Sequence, residues 1–130
     1  MKKVGLDTCV VLRLLVGDPV DQAKTAYSYI ETCYLRGISV IVSDLVVLET
    51  YHALCHHYQV PPTKATKVLS DFLTSEMITP SGHALTVAKE FKGKGAGFED
   101  RLIRMDFLDH ADEIVSFDNK FSKLPGVLKL

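Results

Sequence analysis

The sequence predicts an α/β fold, a three-layer α/β/α sandwich around a central, mostly parallel sheet. Two observations carry that expectation. Short, apolar, β-branched runs such as Lys3–Leu6 and Ser39–Val42 alternate with longer amphipathic stretches, as in parallel sheets covered on both faces. The composition, 47% hydrophobic and 24% charged over 130 residues, excludes intrinsic disorder and is enough for one core. Residues 1–130 are expected to form a single domain, since no repeat, linker or low-complexity segment interrupts them.

The elements follow in order. Lys3 to Leu6 is a buried-strand pattern ending in a carboxylate, Asp7. Val10 to Val16 is apolar nearly all round except Arg13, and Gly17 stops it. Asp18 followed by Pro19 offers a cap and a first-turn proline to the next helix. There Ala23, Ala26, Tyr27, Ile30 and Cys33 recur at helical spacing, and Gly37 ends the run. Tyr27 and Tyr34 fall on that apolar face, as core or dimer contacts. Ser39–Val42 is a second strand, and Ser43 caps a helix reaching Tyr58, closed by Pro61-Pro62.

Thr63 opens a fourth helix with Ala65, Val68, Leu69 and Phe72 on its apolar face. Met77-Ile78 is a brief strand candidate, and Ala84, Val87, Ala88 and Phe91 mark another helix. Residues 92–97, rich in glycine and lysine, read as the flexible loop. Asp100 stands near the start of a helix whose face is expected to be Ile103, Phe107 and Ala111. Glu113–Ser116 is a strand ending near Asp118, and Val127–Leu130 is a terminal strand.

Charge excludes a general basic field, with 15 Lys and Arg against 16 Asp and Glu. No apolar run approaches the ~20 residues of a membrane span, and Gly5, Asp7 and Arg13 interrupt any signal-peptide pattern near Met1. Cys9, Cys33 and Cys55 form no CxxC pair and are expected to be reduced and mostly buried, which fits a cytoplasmic location.

Four acids occupy positions that solubility does not explain. Asp7 and Asp118 follow strands, so a parallel sheet sets both at the carboxyl edge where α/β folds bind ligands. Glu49 lies in the apolar stretch Leu45–Glu49, and Asp100 precedes Leu102-Ile103. Two carboxylates ~5 Å apart repel by roughly 3 kcal/mol at an effective dielectric near 20, so convergence of several requires a cation. Hard oxygen donors suit Mg²⁺ or Mn²⁺, which activate water and clamp phosphate oxygens. Each acid also has an ordinary reading: a cap or turn at Asp7, an ion pair with Arg13 for Glu49, a helix-terminus charge at Asp100, and an Asp118-Asn119 turn.

Leu6-Asp7-Thr8, Arg13-Leu14-Leu15, Gly17-Asp18-Pro19, Leu45 to Glu49, Phe98 to Ile103, Ser116-Phe117-Asp118, Phe121 and Leu124-Pro125-Gly126 together resemble PIN-domain ribonucleases, particularly VapC-type toxins. The resemblance spans essentially the whole chain. It implies a PIN-like fold and a metal-dependent endoribonuclease, the toxin half of a toxin–antitoxin pair, leaving 5′-phosphate and 3′-hydroxyl ends. By that resemblance Asp7, Glu49, Asp100 and Asp118 form an acidic quartet for Mg²⁺ or Mn²⁺. Asp7 and Asp100 are its metal ligands, with Glu49 and Asp118 binding directly or through water. Thr8 and Ser116 match hydroxyl positions beside the site, and strand alternation aims Ser116 and Asp118 the same way. The resemblance also implies RNA as substrate, an antitoxin protein as partner, and a homodimer. Glu99 departs from the pattern as an additional carboxylate, and Ser116 stands where threonine is more usual.

Lys92, Lys94, Arg101, Arg104 and Lys120 are candidate contacts to RNA backbone, against the plain alternative of solvated surface cations. His52, Cys55, His56 and His57 form a rival metal cluster, but Ala53 removes the glutamate of a zinc-protease motif, which leaves surface or interface residues. Two other functions compete. A phospho-acceptor receiver has similar length, but it needs adjacent acids after the first strand, where Asp7 is followed by Thr8 and Cys9. A catalytically weak PIN-like module that binds RNA or protein is the other.

Overall fold

A computed structural model describes residues 2–130. The fold is α/β, as expected, with six helices and a small parallel sheet among the described residues. Strand β1 (Lys3–Gly5) leads through helices α1 (Thr8–Val16) and α2 (Val20–Leu35) into β2 (Ser39–Val42). Helices α3 (Asp44–His56) and α4 (Pro62–Thr74) then precede β3 (Thr79–Pro80). The chain continues through α5 (Ala84–Glu90), α6 (Phe98–Leu108), β4 (Ile114–Ser116), a single 3-10 turn (Phe121–Lys123) and β5 (Val127–Lys129).

β1, β2 and β3 run parallel in that order, with Val4 opposite Val40 and Ile41 opposite Thr79. β4 and β5 form a separate parallel pair with Val115 opposite Leu128. Because β1 and β2 are parallel, Asp7 and the start of α3 emerge at the same sheet edge. Pro80 closes β3, a place open to proline because β3 is the outer strand of its sheet.

Local chemistry explains the boundaries. Asp7 Oδ1 accepts from the Val10 amide at 3.1 Å, capping α1, and Gly17 ends it with φ of 79°. Ser43 Oγ caps α3 through the Val46 amide at 3.3 Å. Asp18 does not cap α2, because the residue before the first helical turn is Pro19, one position later. The brief strand falls on Thr79–Pro80 and not on Met77-Ile78, since Met77 and Ile78 are held in a turn, the Ile78 amide donating to the Ser75 carbonyl at 3.1 Å and the Met77 amide to Ser75 Oγ at 3.2 Å.

Val11, Val40, Val42, Val47, Leu69, Phe98 and Leu102 make the centre of the core. Phe98 packs against Tyr51 in a tilted pair with ring centroids 4.7 Å apart, joining α6 to α3. The buried face of α6 is therefore Phe98 and Leu102, and the expected face of Ile103 and Phe107 is only partly covered, each being about two fifths exposed. Both sets have helical spacing, and the aromatic contact decides between them. In α2 only Ile30 and Cys33 are buried; Tyr27 and Tyr34 are about half exposed, so neither is a core residue. Cys9 is exposed, Cys33 buried and Cys55 between the two, and all three are free thiols. No helix among the described residues is long and apolar enough to cross a membrane.

Candidate functional site

Two of the four predicted acids share one cavity. Asp100, in the first turn of α6, and Asp118, in the turn after β4, line a cavity of about 220 Å³ with Ser116, Phe107, Ile114 and Phe121. Burial pushes the Asp100 carboxyl up from its ordinary value, and the negative charges of Asp118 and Glu99 push it further. Asp100 therefore sits in a field of like charge.

Asp118 is held by its own backbone. Ser116 Oγ accepts from the Asp118 amide at 3.0 Å, and Asp118 Oδ1 accepts from the Phe121 amide at 2.7 Å. β4 ends at Ser116, so Ser116 and Asp118 reach the common cavity through a turn and not by strand alternation. The Asp-to-Phe hydrogen bond is the turn anticipated for Asp118-Asn119, and it leaves the second carboxylate oxygen for other partners.

Glu49 and Asp7 stand at the edge beyond β1 and β2. Glu49 Oε1 accepts from Thr8 Oγ1 at 2.9 Å, tying the first turn of α1 to the second turn of α3. Arg13 is not its partner, because the Arg13 guanidinium donates to Gln22 Oε1 at 2.6 Å. Glu49 also lines a cavity of about 320 Å³ with Glu99, His52, Leu48 and Ala53. Glu99 therefore borders the Glu49 cavity while its charge also acts on Asp100.

None of the four acids forms an ion pair among the described residues, where the charged pairs are Lys67–Asp71 and His83–Asp109. The acids also do not close into a cage: among the described residues no three His, Cys, Asp or Glu side chains are grouped to hold a metal ion. An ion such as Mg²⁺, which keeps several waters and takes only one or two carboxylates from protein, would need no closed cage. Asp100 and Asp118 are the pair best placed for it.

The predicted cations divide by use. The Arg101 guanidinium donates to the Ala96 carbonyl at 2.8 Å and the Lys94 carbonyl at 3.0 Å, clamping the loop that the sequence marks as flexible. Arg104 Nε donates to the Pro125 carbonyl at 2.5 Å. Lys92, Lys94 and Lys120 are exposed and make no such bond among the described residues.

Two features were not foreseen. Asp44 accepts from the His83 and Ala84 amides, both at 3.0 Å, so it caps α5 from the start of α3. No local pattern announces it, because the partners are some forty positions away. A larger cavity, about 550 Å³ and mainly apolar, lies between β1, α1 and α2, lined by Val4, Leu6, Cys9, Val10, Ala26 and Tyr29 among others. It contains none of the four acids.

The geometry defines an α/β domain in which Asp100 and Asp118 line one cavity, Glu49 and Glu99 line another, and none of these acids forms an ion pair among the described residues. The chain matches no protein-family model, and no curated protein matches it significantly.

Proposed function

We propose that this chain is a metal-dependent endoribonuclease of the PIN kind its sequence resembles, acting as a toxin in a toxin–antitoxin pair. The observation that carries the proposal is that Asp100 and Asp118 line one cavity and that neither forms an ion pair among the described residues, while Asp118 and Glu99 add like charge to the partly buried Asp100 carboxyl. Like charges gathered without a counter-ion favour a bound divalent cation. Asp100 and Asp118 would hold Mg²⁺ or Mn²⁺, with Asp7 and Glu49 binding directly or through water. When bound, such an ion would polarise a phosphate oxygen and lower the pKa of a water.

The remaining work belongs to the chain. Thr8 fixes the Glu49 carboxylate by its hydroxyl bond. Ser116 fixes the turn that presents Asp118. Lys92, Lys94 and Lys120 offer exposed charge to the RNA backbone, and Arg101 shapes the loop that carries two of them. An antitoxin, a homodimer built on exposed aromatics such as Tyr27, and a cytoplasmic setting complete the proposal.

A second reading is favoured by one observation. Because no three acids group tightly among the described residues, a PIN-like module that binds RNA or protein with weak turnover also suits this arrangement. Incubating purified protein with a total-RNA pool separates the two. Cleavage with 5′-phosphate ends in Mg²⁺ or Mn²⁺, abolished by chelator, supports the nuclease; RNA retention without new ends supports the binding module.

A further inference from the structure

We infer that His52 and His56 form a second metal site, a two-imidazole chelate on α3 for a borderline divalent ion of the nickel, copper and zinc group. The sequence places four potential ligands together, and the structure divides them. Cys55 is partly buried with its thiol against the Tyr51 hydroxyl. The His57 ring stands edge-on to Tyr58, with centroids 4.7 Å apart and planes at 88°. That leaves His52 and His56.

These two imidazoles are exposed, lie one helical turn apart, and have ring centroids 4.3 Å apart. Neither makes a hydrogen bond to protein among the described residues, so each ring is free to turn a nitrogen outward. A pair at this spacing on one helix face is the arrangement by which helices present two histidines to one ion. The rest of the zinc-protease motif is absent, so no protease chemistry follows.

Ligand type keeps this site distinct from the acidic one. Imidazole nitrogen suits nickel, copper and zinc, whereas Mg²⁺ takes oxygen. The surroundings favour a cation, because His52 lines the same cavity as Glu49 and Glu99. No third side chain completes the set among the described residues, so water fills the remaining positions. An ion joining two turns of α3 binds the folded helix more tightly than the unfolded chain, where the two imidazoles are not held together, and it therefore stabilises the fold by mass action. None of this rests on the nuclease reading.

The test is calorimetric titration of the untagged full chain with Ni²⁺, and separately with Zn²⁺, in the presence of excess Mg²⁺. One ion should bind per chain, and the melting temperature should rise with it. H52Q and H56Q should each weaken binding about tenfold or more, the least that even outer ligand-supporting substitutions cost a metal site, and should remove the thermal shift. Both side chains are exposed, so melting without metal should be unchanged and shows that the variants fold. H57Q and D118N should bind as the parent does. Absence of saturable binding, or binding that survives both H52Q and H56Q, overturns the site. Loss in D118N alone also overturns it, by assigning the ion to the acids.

Discussion

Thr8 Oγ1 donates to Glu49 Oε1 at 2.9 Å across 41 positions of sequence, so a residue beside β1 sets the carboxylate of a residue on α3. The bond is solvent-accessible, so its value is in aim more than in stability. T8V should lower stability by only about 0.5 kcal/mol, the low end for one hydrogen bond. RNA cleavage by the proposed site should fall by roughly an order of magnitude, about 1.4 kcal/mol of transition-state stabilisation. T8S keeps the hydroxyl and should retain most activity. Equal activity in T8V and the parent removes Thr8 from the mechanism.

Asp100 gives a pH signature. Its carboxyl is raised above the ordinary value of 3.8, chiefly by burial and then by Asp118 and Glu99. The folded state therefore holds this proton more tightly than the unfolded chain does. Its contribution to stability rises as pH falls through the raised value toward 3.8, and is lost again as pH rises. Melting temperatures of the parent and D100N, followed across the acid range, should converge on acidification, with D100N the more stable at neutral pH. A parent that is the more stable at neutral pH contradicts the repulsion.

His83 gives the opposite case. Its Nε2 lies 2.7 Å from Asp109 Oδ2, and that hydrogen bond raises the imidazole above its ordinary value of 6.5. The pair's contribution is fully present below 6.5 and disappears as pH rises through the raised value. A proton NMR titration of His83 should show a lower midpoint in D109N. An unchanged midpoint would show that Asp109 does not hold the charge.

Gly82 is fixed by close approach. A Cβ added there would lie 2.3 Å from Asp44 Oδ2, the carboxylate that accepts the His83 and Ala84 amides. G82A should force Asp44 aside and cost about 1.5–3 kcal/mol, the range for hydrogen bonds to a charged group. Because D44A removes the same bonds, the double variant should cost little more than either alone, as chemical denaturation would reveal.

Much of this was legible along the chain. Strand β2, the glycine stop of α1, the Ser43 cap and the buried face of α5 follow from local pattern, because their causes lie within a few residues. The face of α6 was not legible: Phe98 with Leu102 and Ile103 with Phe107 are equally periodic, and packing against Tyr51 and the core selects the first. Arg101 read as a surface cation because the carbonyls it grips belong to a loop whose shape no propensity encodes. For the acids, sequence order supplied the candidates. The pairing of Asp100 with Asp118, and of Glu49 with Thr8, required the fold.

The central claim is that Asp100 and Asp118 serve one metal-dependent reaction on RNA. Its most direct test is cleavage of a single-stranded RNA pool by the parent and by D118N, each titrated with Mg²⁺. The account predicts Mg²⁺-dependent cleavage by the parent and collapse of that cleavage in D118N, with the melting temperature held or raised. Full cleavage by D118N, or cleavage by the parent that persists in excess chelator, would contradict it.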